Sequence, residues 1–248
     1  MGDSQFSNLT IAEQERFLSR ARSLRLKRKA VSSLPILHIE RGGTFPLSFA
    51  QERLWFLAQM EGGSEAYHIP LGMRLRGELN GAALKRALDR IVARHEALRT
   101  TFAMVEGKPE QRIAPVEGSR FQLQEQDLRQ HEDAGGELER VMAEAARSKF
   151  DMERGPLIRG RLIRMGEEEH VLLISMHHIV SDGWSLGVMF KEMSELYGAY
   201  VRGEEDGLPE LGVQYADYAV WQRKWMEGEV LGEQAEYWKK NLAGAPEV

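Results

Sequence analysis

Met176-His177-His178-Ile179-Val180-Ser181-Asp182-Gly183-Trp184-Ser185 is the stretch whose reading decides the fold. It follows the apolar run Val171 to Ile174 and precedes an amphipathic helical pattern, so two imidazoles, a carboxylate and a glycine fall where a buried strand gives way to a loop. Such groups are costly to take out of water unless they are paired or face a cleft. Side chains alternate across a strand, so His177 and His178 point to opposite faces and only one can face a cleft. The other is a packing or hydrogen-bonding residue. A tight turn over Ile179 to Ser181 would fold Asp182 back toward the histidines, to orient an imidazole or to pair with a cation and brace the loop. Gly183 fits a point where the backbone turns sharply or comes close to a ligand. A metal site fits poorly: adjacent histidines do not easily ligate one ion, the chain has no cysteine, and no further ligand stands at a usual spacing. One imidazole acting on a neutral nucleophile, as base or as hydrogen-bond partner, is simpler chemistry.

Composition narrows the class. The chain has 248 residues, of which 42% are hydrophobic and 29% charged, a globular rather than a disordered balance. A formal charge of −5 argues against nucleic acid as the main partner. The lack of cysteine removes disulfides, thiolate catalysis and zinc-thiolate sites. No apolar run reaches the roughly 18–20 residues of a membrane span, and the first residues hold no signal-peptide apolar core, so no membrane partner is expected and the cytoplasm is the default.

Outward from the central stretch, the pattern alternates strands and helices. Thr10 and Glu13 read as a capping box opening a helix to about Leu26, with Arg25, Lys27, Arg28 and Lys29 as a basic end. That end is either a solvated helix terminus or a docking element for an acidic partner. Residues 31–43 read as linker, which makes 1–44 a helix and linker and 45–248 the compact part. Ser48 caps a helix through Leu57 that ends at Gly62 and Gly63. Tyr67 to Arg76 alternates around Ile69, Leu71, Met73 and Leu75, a half-buried strand. Asn80 opens a helix whose Leu84, Ala87, Leu88, Ile91 and Val92 share one face. Strands follow from Thr100 to Val105 and from Gln111 to Ile113, with Glu117 to Asp127 as strand and loop, and a helix runs from Ala134 to Lys149. Ile158 to Met165 and His170 to His177 read as a hairpin turning at Gly166 to Glu169. A helix carrying Leu186, Met189, Phe190, Met193, Leu196, Tyr197 and Tyr200 comes next, and a last helix runs from Tyr215 to about Leu242. The result is an α/β sandwich with helices on a mixed, mostly antiparallel sheet.

Four segments carry a resemblance. Ser48-Phe49-Ala50-Gln51-Glu52-Arg53-Leu54-Trp55, Arg94-His95-Glu96-Ala97-Leu98-Arg99-Thr100-Thr101-Phe102, Met176 to Ser185, and Tyr215 to Trp221 resemble, in order, the first four core motifs of condensation domains of nonribosomal peptide synthetases. The resemblance implies a chloramphenicol-acetyltransferase-like fold and amide formation between a donor acyl or peptidyl thioester and an acceptor aminoacyl amine. Both substrates ride on phosphopantetheine arms of carrier domains, and no cofactor is bound directly. His178 matches the family's chamber-facing histidine, as base or as orienting group, and His177 is its structural partner. Asp182 matches the aspartate that the family pairs with arginine, for which Arg99 is the first choice and Arg94 the second. Gly183 would offer backbone near the thioester, and Trp184 and Ser185 would wall the channel. The family's later motifs are not found, so residues 45–248 are expected to be the N-terminal lobe, partnered by carrier domains, the C-terminal lobe and an adjacent adenylation domain. The wording of the motifs resembles domains that join two L-residues, and His177 argues against a cyclising domain. A catalytically silent carrier- or lobe-binding module, an epimerisation domain fragment and a coenzyme A-dependent acyltransferase are the alternatives.

Overall fold

The computed structural model describes residues 35–60, 65–227 and 229–245. The helix expected over 10–26, its basic end, and Gly62 and Gly63 lie outside the described residues. The chain divides into two units, residues 38–226 and a second formed by 1–37 with 227–248. Within the latter, the described helix is Glu229–Leu242. Among the described residues, no helix is long and apolar enough to cross a membrane.

The larger unit is built on two sheets. One is antiparallel, in the order β1 (Thr44–Pro46), β4 (Lys108–Ile113), β3 (Thr100–Val105). The other is mixed, in the order β2 (His68–Arg76), β7 (Glu169–His177), β6 (Ile158–Arg164), β5 (Leu123–Asp127), with β5 parallel to β6 and the other pairs antiparallel. The single, mostly antiparallel sheet expected from the alternation is thus two sheets, because the β3–β4 hairpin pairs with β1 rather than with β2. The helices are α1 (Phe49–Ala58), α2 (Gly81–Arg94), α3 (Ala134–Arg147), α4 (Gly183–Val201) and α5 (Tyr215–Trp225). The long final helix expected to reach Leu242 is two helices: Met226 caps α5, and α6 spans Glu229–Leu242.

Local chemistry sets the other helix ends. The Ser48 side chain accepts from the Gln51 N–H, while the Gln51 side chain accepts from the Ser48 N–H, a reciprocal cap. The Asn80 side chain accepts from the Ala83 N–H, and Leu84, Ala87, Leu88, Ile91 and Val92 are all buried. Strand β7 lies in the middle of its sheet and is buried on both faces. Leu172, Ile174 and Met176 join a large core with α2 and α4 residues such as Leu88, Ile91, Met189 and Leu196. Val171 and Leu173 join a second core with Leu138 and Val141 of α3. A continuous apolar run is what such a strand needs.

Gly160 of β6 sits where a side chain would collide. A Cβ there would stand 2.7 Å from the Phe121 ring and 3.0 Å from the Leu173 carbonyl oxygen. Gly160→Ala is expected to destabilise the fold by about 1–3 kcal/mol through overpacking, read from urea unfolding midpoints. An unchanged midpoint would mean that the Phe121 ring yields without cost.

Candidate active site

The parity of β7 decides which histidine is buried. Ile174 and Met176 face the α2–α4 core, and His178, two residues on, continues that face. Ser175 and His177 face the other way, and Ser175 Oγ donates to the Ala145 carbonyl of α3 at 3.3 Å. His177 is fully buried. It pairs across the sheet with His68, and its ring lies edge-on to those of His68 and Phe150, with centroids at 5.9 and 6.3 Å. The Ile179 N–H donates to His177 Nδ1 at 3.1 Å, which places the ring proton on Nε2, and that nitrogen is buried without a partner. Burial first, then the neighbouring His68 and His178, lowers the His177 pKa to about 4. Its burial and lowered pKa keep the His177 ring neutral near pH 7.

His178 is exposed. Its N–H donates to the Tyr67 carbonyl at 2.8 Å, which extends the β2–β7 ladder by one rung. Among the described residues no side chain holds its imidazole. The chain then turns, with the Val180 N–H donating to the His177 carbonyl at 3.1 Å, and Asp182 becomes the N-cap of α4.

The expected arginine partners of Asp182 are engaged elsewhere. Asp182 Oδ1 accepts from the Ser185 N–H at 2.8 Å and from Ser185 Oγ at 2.6 Å. Those bonds, the hydroxyl's first, hold its pKa below the ordinary carboxylate value. Arg99 pairs with Glu96 at 3.4 Å and donates to the Ala114 carbonyl. Arg94, buried, donates from Nε to Glu192 Oε1 at 3.1 Å. Geometry explains the displacement. Glu192 lies ten residues beyond Asp182 on α4, about 15 Å along the helix axis, so the end of α2 meets the middle of α4 rather than its cap. Ser185, read as channel wall, is mainly the partner that braces Asp182. Gly183 has no left-handed φ, and a Cβ on it would meet nothing within 4 Å, so neither the turn nor its protein neighbours require a glycine there. Trp184 is 86% exposed at the rim.

Two groups to which the sequence assigns no role, Asp217 and Arg41, brace the segments around the site. Asp217 of α5, fully buried, takes Arg41 Nη1 at 2.7 Å and the N–H groups of Ile39 and Gln214 at 3.0 and 2.7 Å. Burial would raise its pKa, but these donors, Arg41 first, hold it at about 2. Arg41 also donates to Glu96 at 2.8 Å. Gln214 receives the Glu96 N–H at 3.1 Å and donates to the Arg94 carbonyl at 2.9 Å. A network of charges thus ties the second motif to the fourth through a segment that reads as linker.

A cleft of about 470 Å³ opens at this end of β7. Its walls come from all four motif segments: Gln51 and Leu54 of α1, His95 and Leu98 after α2, His178, Asp182, Trp184 and Ser185 around the start of α4, and Tyr215 of α5. Tyr215 is held by a 3.0 Å hydrogen bond with Ser48 Oγ. Among the described residues, no cluster of acidic or histidine side chains could hold a metal ion.

With this geometry in hand, comparison with known proteins is direct. The family model described as condensation domain matches residues 42–248. The chain belongs to the condensation-domain family. It is 46% identical over 230 residues to malpinin synthetase of Mortierella alpina, covering 93% of this chain and 3% of that protein. The X-domain from teicoplanin biosynthesis, also solved in complex with OxyB, superposes with a TM-score of 0.75 at 32% identity, covering 86% of this chain and 46% of that one. The first condensation domain of the calcium-dependent antibiotic synthetase, solved in complex with a substrate analogue, gives a TM-score of 0.72 at 25% identity, with 83% and 49% covered. The fold is the chloramphenicol-acetyltransferase-like one. The chain spans about half the length of the solved proteins it matches, and a few per cent of the curated synthetase.

Two stability predictions follow from the contacts. Asp182→Ala should cost about 1 kcal/mol, the usual loss of an N-cap, and Asp182→Asn much less, in urea unfolding. A loss of about 3–5 kcal/mol, the mark of a broken buried ion pair, would contradict the capping role. For His177, the folded-state pKa lies below that of the unfolded chain, so its stabilising contribution is complete above pH about 6.5. It is lost as the pH falls toward about 4, since the unfolded chain takes a proton that the folded one refuses. The loss should reach roughly 3 kcal/mol near pH 4. It should be smaller in His177→Phe, measured as the unfolding midpoint against pH.

Proposed function

We propose that this chain supplies the histidine-bearing half of a chamber for amide formation between two carrier-bound substrates. The observation that carries the reading is that four separated motif segments line one cleft with an exposed imidazole at its mouth. The acceptor amine attacks the donor thioester carbonyl, a C–N bond forms, the C–S bond breaks, and the proton lost by nitrogen ends on the leaving sulfur. His178 is the group placed to accept or steer that proton, as base or as orienting hydrogen-bond partner. Asp182 fixes the start of α4, which carries Trp184 at the cleft rim. The apolar remainder of the wall, with Leu54, Leu98, Met176, Val180 and Met189, would exclude water from the thioester. The same reading assigns phosphopantetheine-borne substrates, donor and acceptor carrier domains, a facing second lobe, an adjacent adenylation domain and a cytoplasmic synthetase. It also assigns L-residues to both substrates.

A second reading, partner binding without chemistry, is favoured by the solved complex of the teicoplanin X-domain with OxyB.

The test mixes the chain with donor- and acceptor-loaded carrier proteins, with the second lobe supplied in trans, and follows dipeptidyl-carrier formation by intact mass. Product is expected, and His178→Ala should reduce its rate about 10²–10⁴-fold. Carrier binding with no product, with or without the second lobe, would favour the binding reading. A D-residue formed without a new amide would overturn amide formation.

A further inference from the structure

His178 is not the only imidazole in the cleft. His95 closes α2, its N–H donating to the Ile91 carbonyl at 3.0 Å, and its ring lines the same cavity. The Nε2 atom of His95 lies 2.6 Å from Glu192 Oε2. The other oxygen of Glu192 holds Arg94, whose side chain is only 5% exposed. Glu192 itself is buried on α4. The carboxylate is therefore locked by a buried guanidinium, and it locks the imidazole in turn. In the neutral ring that contact puts the proton on Nε2 and leaves Nδ1 with the lone pair. Among the described residues, Nδ1 has no hydrogen-bond partner, and it is not sealed from solvent.

The arrangement exceeds what helix pairing needs. Arg94 and Glu192 already join α2 to α4, together with the apolar contacts of Ile91 and Met189. His95 adds a polar ring, braced on one nitrogen and open on the other, in a wall that is otherwise mostly apolar. An open acceptor of this kind suits a donor N–H of a ligand. The amide-forming reading brings several such groups to the cleft, among them the amide N–H groups of the phosphopantetheine arms, and the one that reacts is the amino group of the acceptor. We infer that His95, oriented by Glu192, is a second substrate-binding group that accepts a hydrogen bond from the acceptor amine at Nδ1. The inference rests on the proposed amide-forming function and adds a residue to its site. His178 then acts on an amine whose direction His95 has set, and Glu192 and Arg94 are positioning residues that act through His95.

The test uses the full chain labelled with ¹⁵N-histidine. The seven histidines give few imidazole signals, and those of His95 and His178 are assigned by their loss in His95→Phe and His178→Ala. Two probes are added: the non-hydrolysable amide analogue of alanyl-pantetheine, and the propionyl analogue that lacks only the amino group. Both should move the His178 signals. The alanyl probe alone should move His95 Nδ1, and it should bind about five-fold more tightly than the propionyl probe, the worth of one hydrogen bond. His95→Phe should abolish that preference and leave propionyl binding unchanged. Equal affinities, or His95 signals that respond alike to both probes, would overturn the role of His95 while leaving the cleft assignment standing. If neither probe moves His178, the proposed function itself fails, and the inference with it.

Discussion

The register of β7 is the constraint on which the site depends. The strand pairs residue by residue with β2 from Glu169 to His177 and with β6 from His170 to Met176. Both of its faces are buried, so a slip of one residue would turn Leu172, Ile174 and Met176 away from their core and Val171 and Leu173 away from theirs. The same slip would exchange His177 with His178. The apolar packing of five side chains thus fixes which imidazole reaches the cleft, although none of the five does chemistry. The burial of His177 follows from that register, and its neutral ring, without a partner at Nε2, is the accompanying cost.

The far wall of the cleft is held by charge. Asp217, Arg41, Glu96 and Arg99 form a chain of contacts, and Gln214 joins it to the end of α2. Buried ion pairs add little net stability, because desolvation offsets their attraction, but they penalise any arrangement that leaves one member alone. Glu96 illustrates this, since it answers both Arg41 and Arg99. The network joins His38 to Phe45 with the loop after α2 and the start of α5. In effect it sets how far apart the second and fourth motifs stand, and with them His95 and Tyr215.

Much of this was legible in the sequence, and the misses share a cause. Ser48 and Asn80 were readable as caps because a capping residue acts on a backbone two or three positions away. The faces of α2 and α4 were readable because helical period is local. The partners of Arg94 and Arg99 were not. Among 38 acidic residues, sequence offers no measure of which lies within reach of a guanidinium. The selected partners were Glu192, almost a hundred positions away, and Glu96, three positions away. The division into two sheets was equally hidden, since alternation identifies a strand but not its neighbour. Arg41 was missed because residues 31–43 have the composition of a linker, yet one arginine within them meets two buried carboxylates.

The two cleft imidazoles differ in restraint, and on the proposed function the difference would divide their work. His95 is held through Glu192 by a buried arginine, so its direction is set before anything binds. Among the described residues, His178 is held through its backbone N–H and by no side-chain hydrogen bond, and its ring is exposed. A group that must meet a proton on a moving amine and release it toward sulfur benefits from freedom about its side-chain torsions. A group that sets the approach of the amine benefits from having none. Orientation contributes to rate only when the reacting atoms are brought to near-attack distance. On the proposed function, that restraint on His178 would come from what faces it across the cleft, either the substrate arms or the second lobe. The chemistry proposed for this half would then depend on closure more than on any hydrogen bond that His178 makes within it.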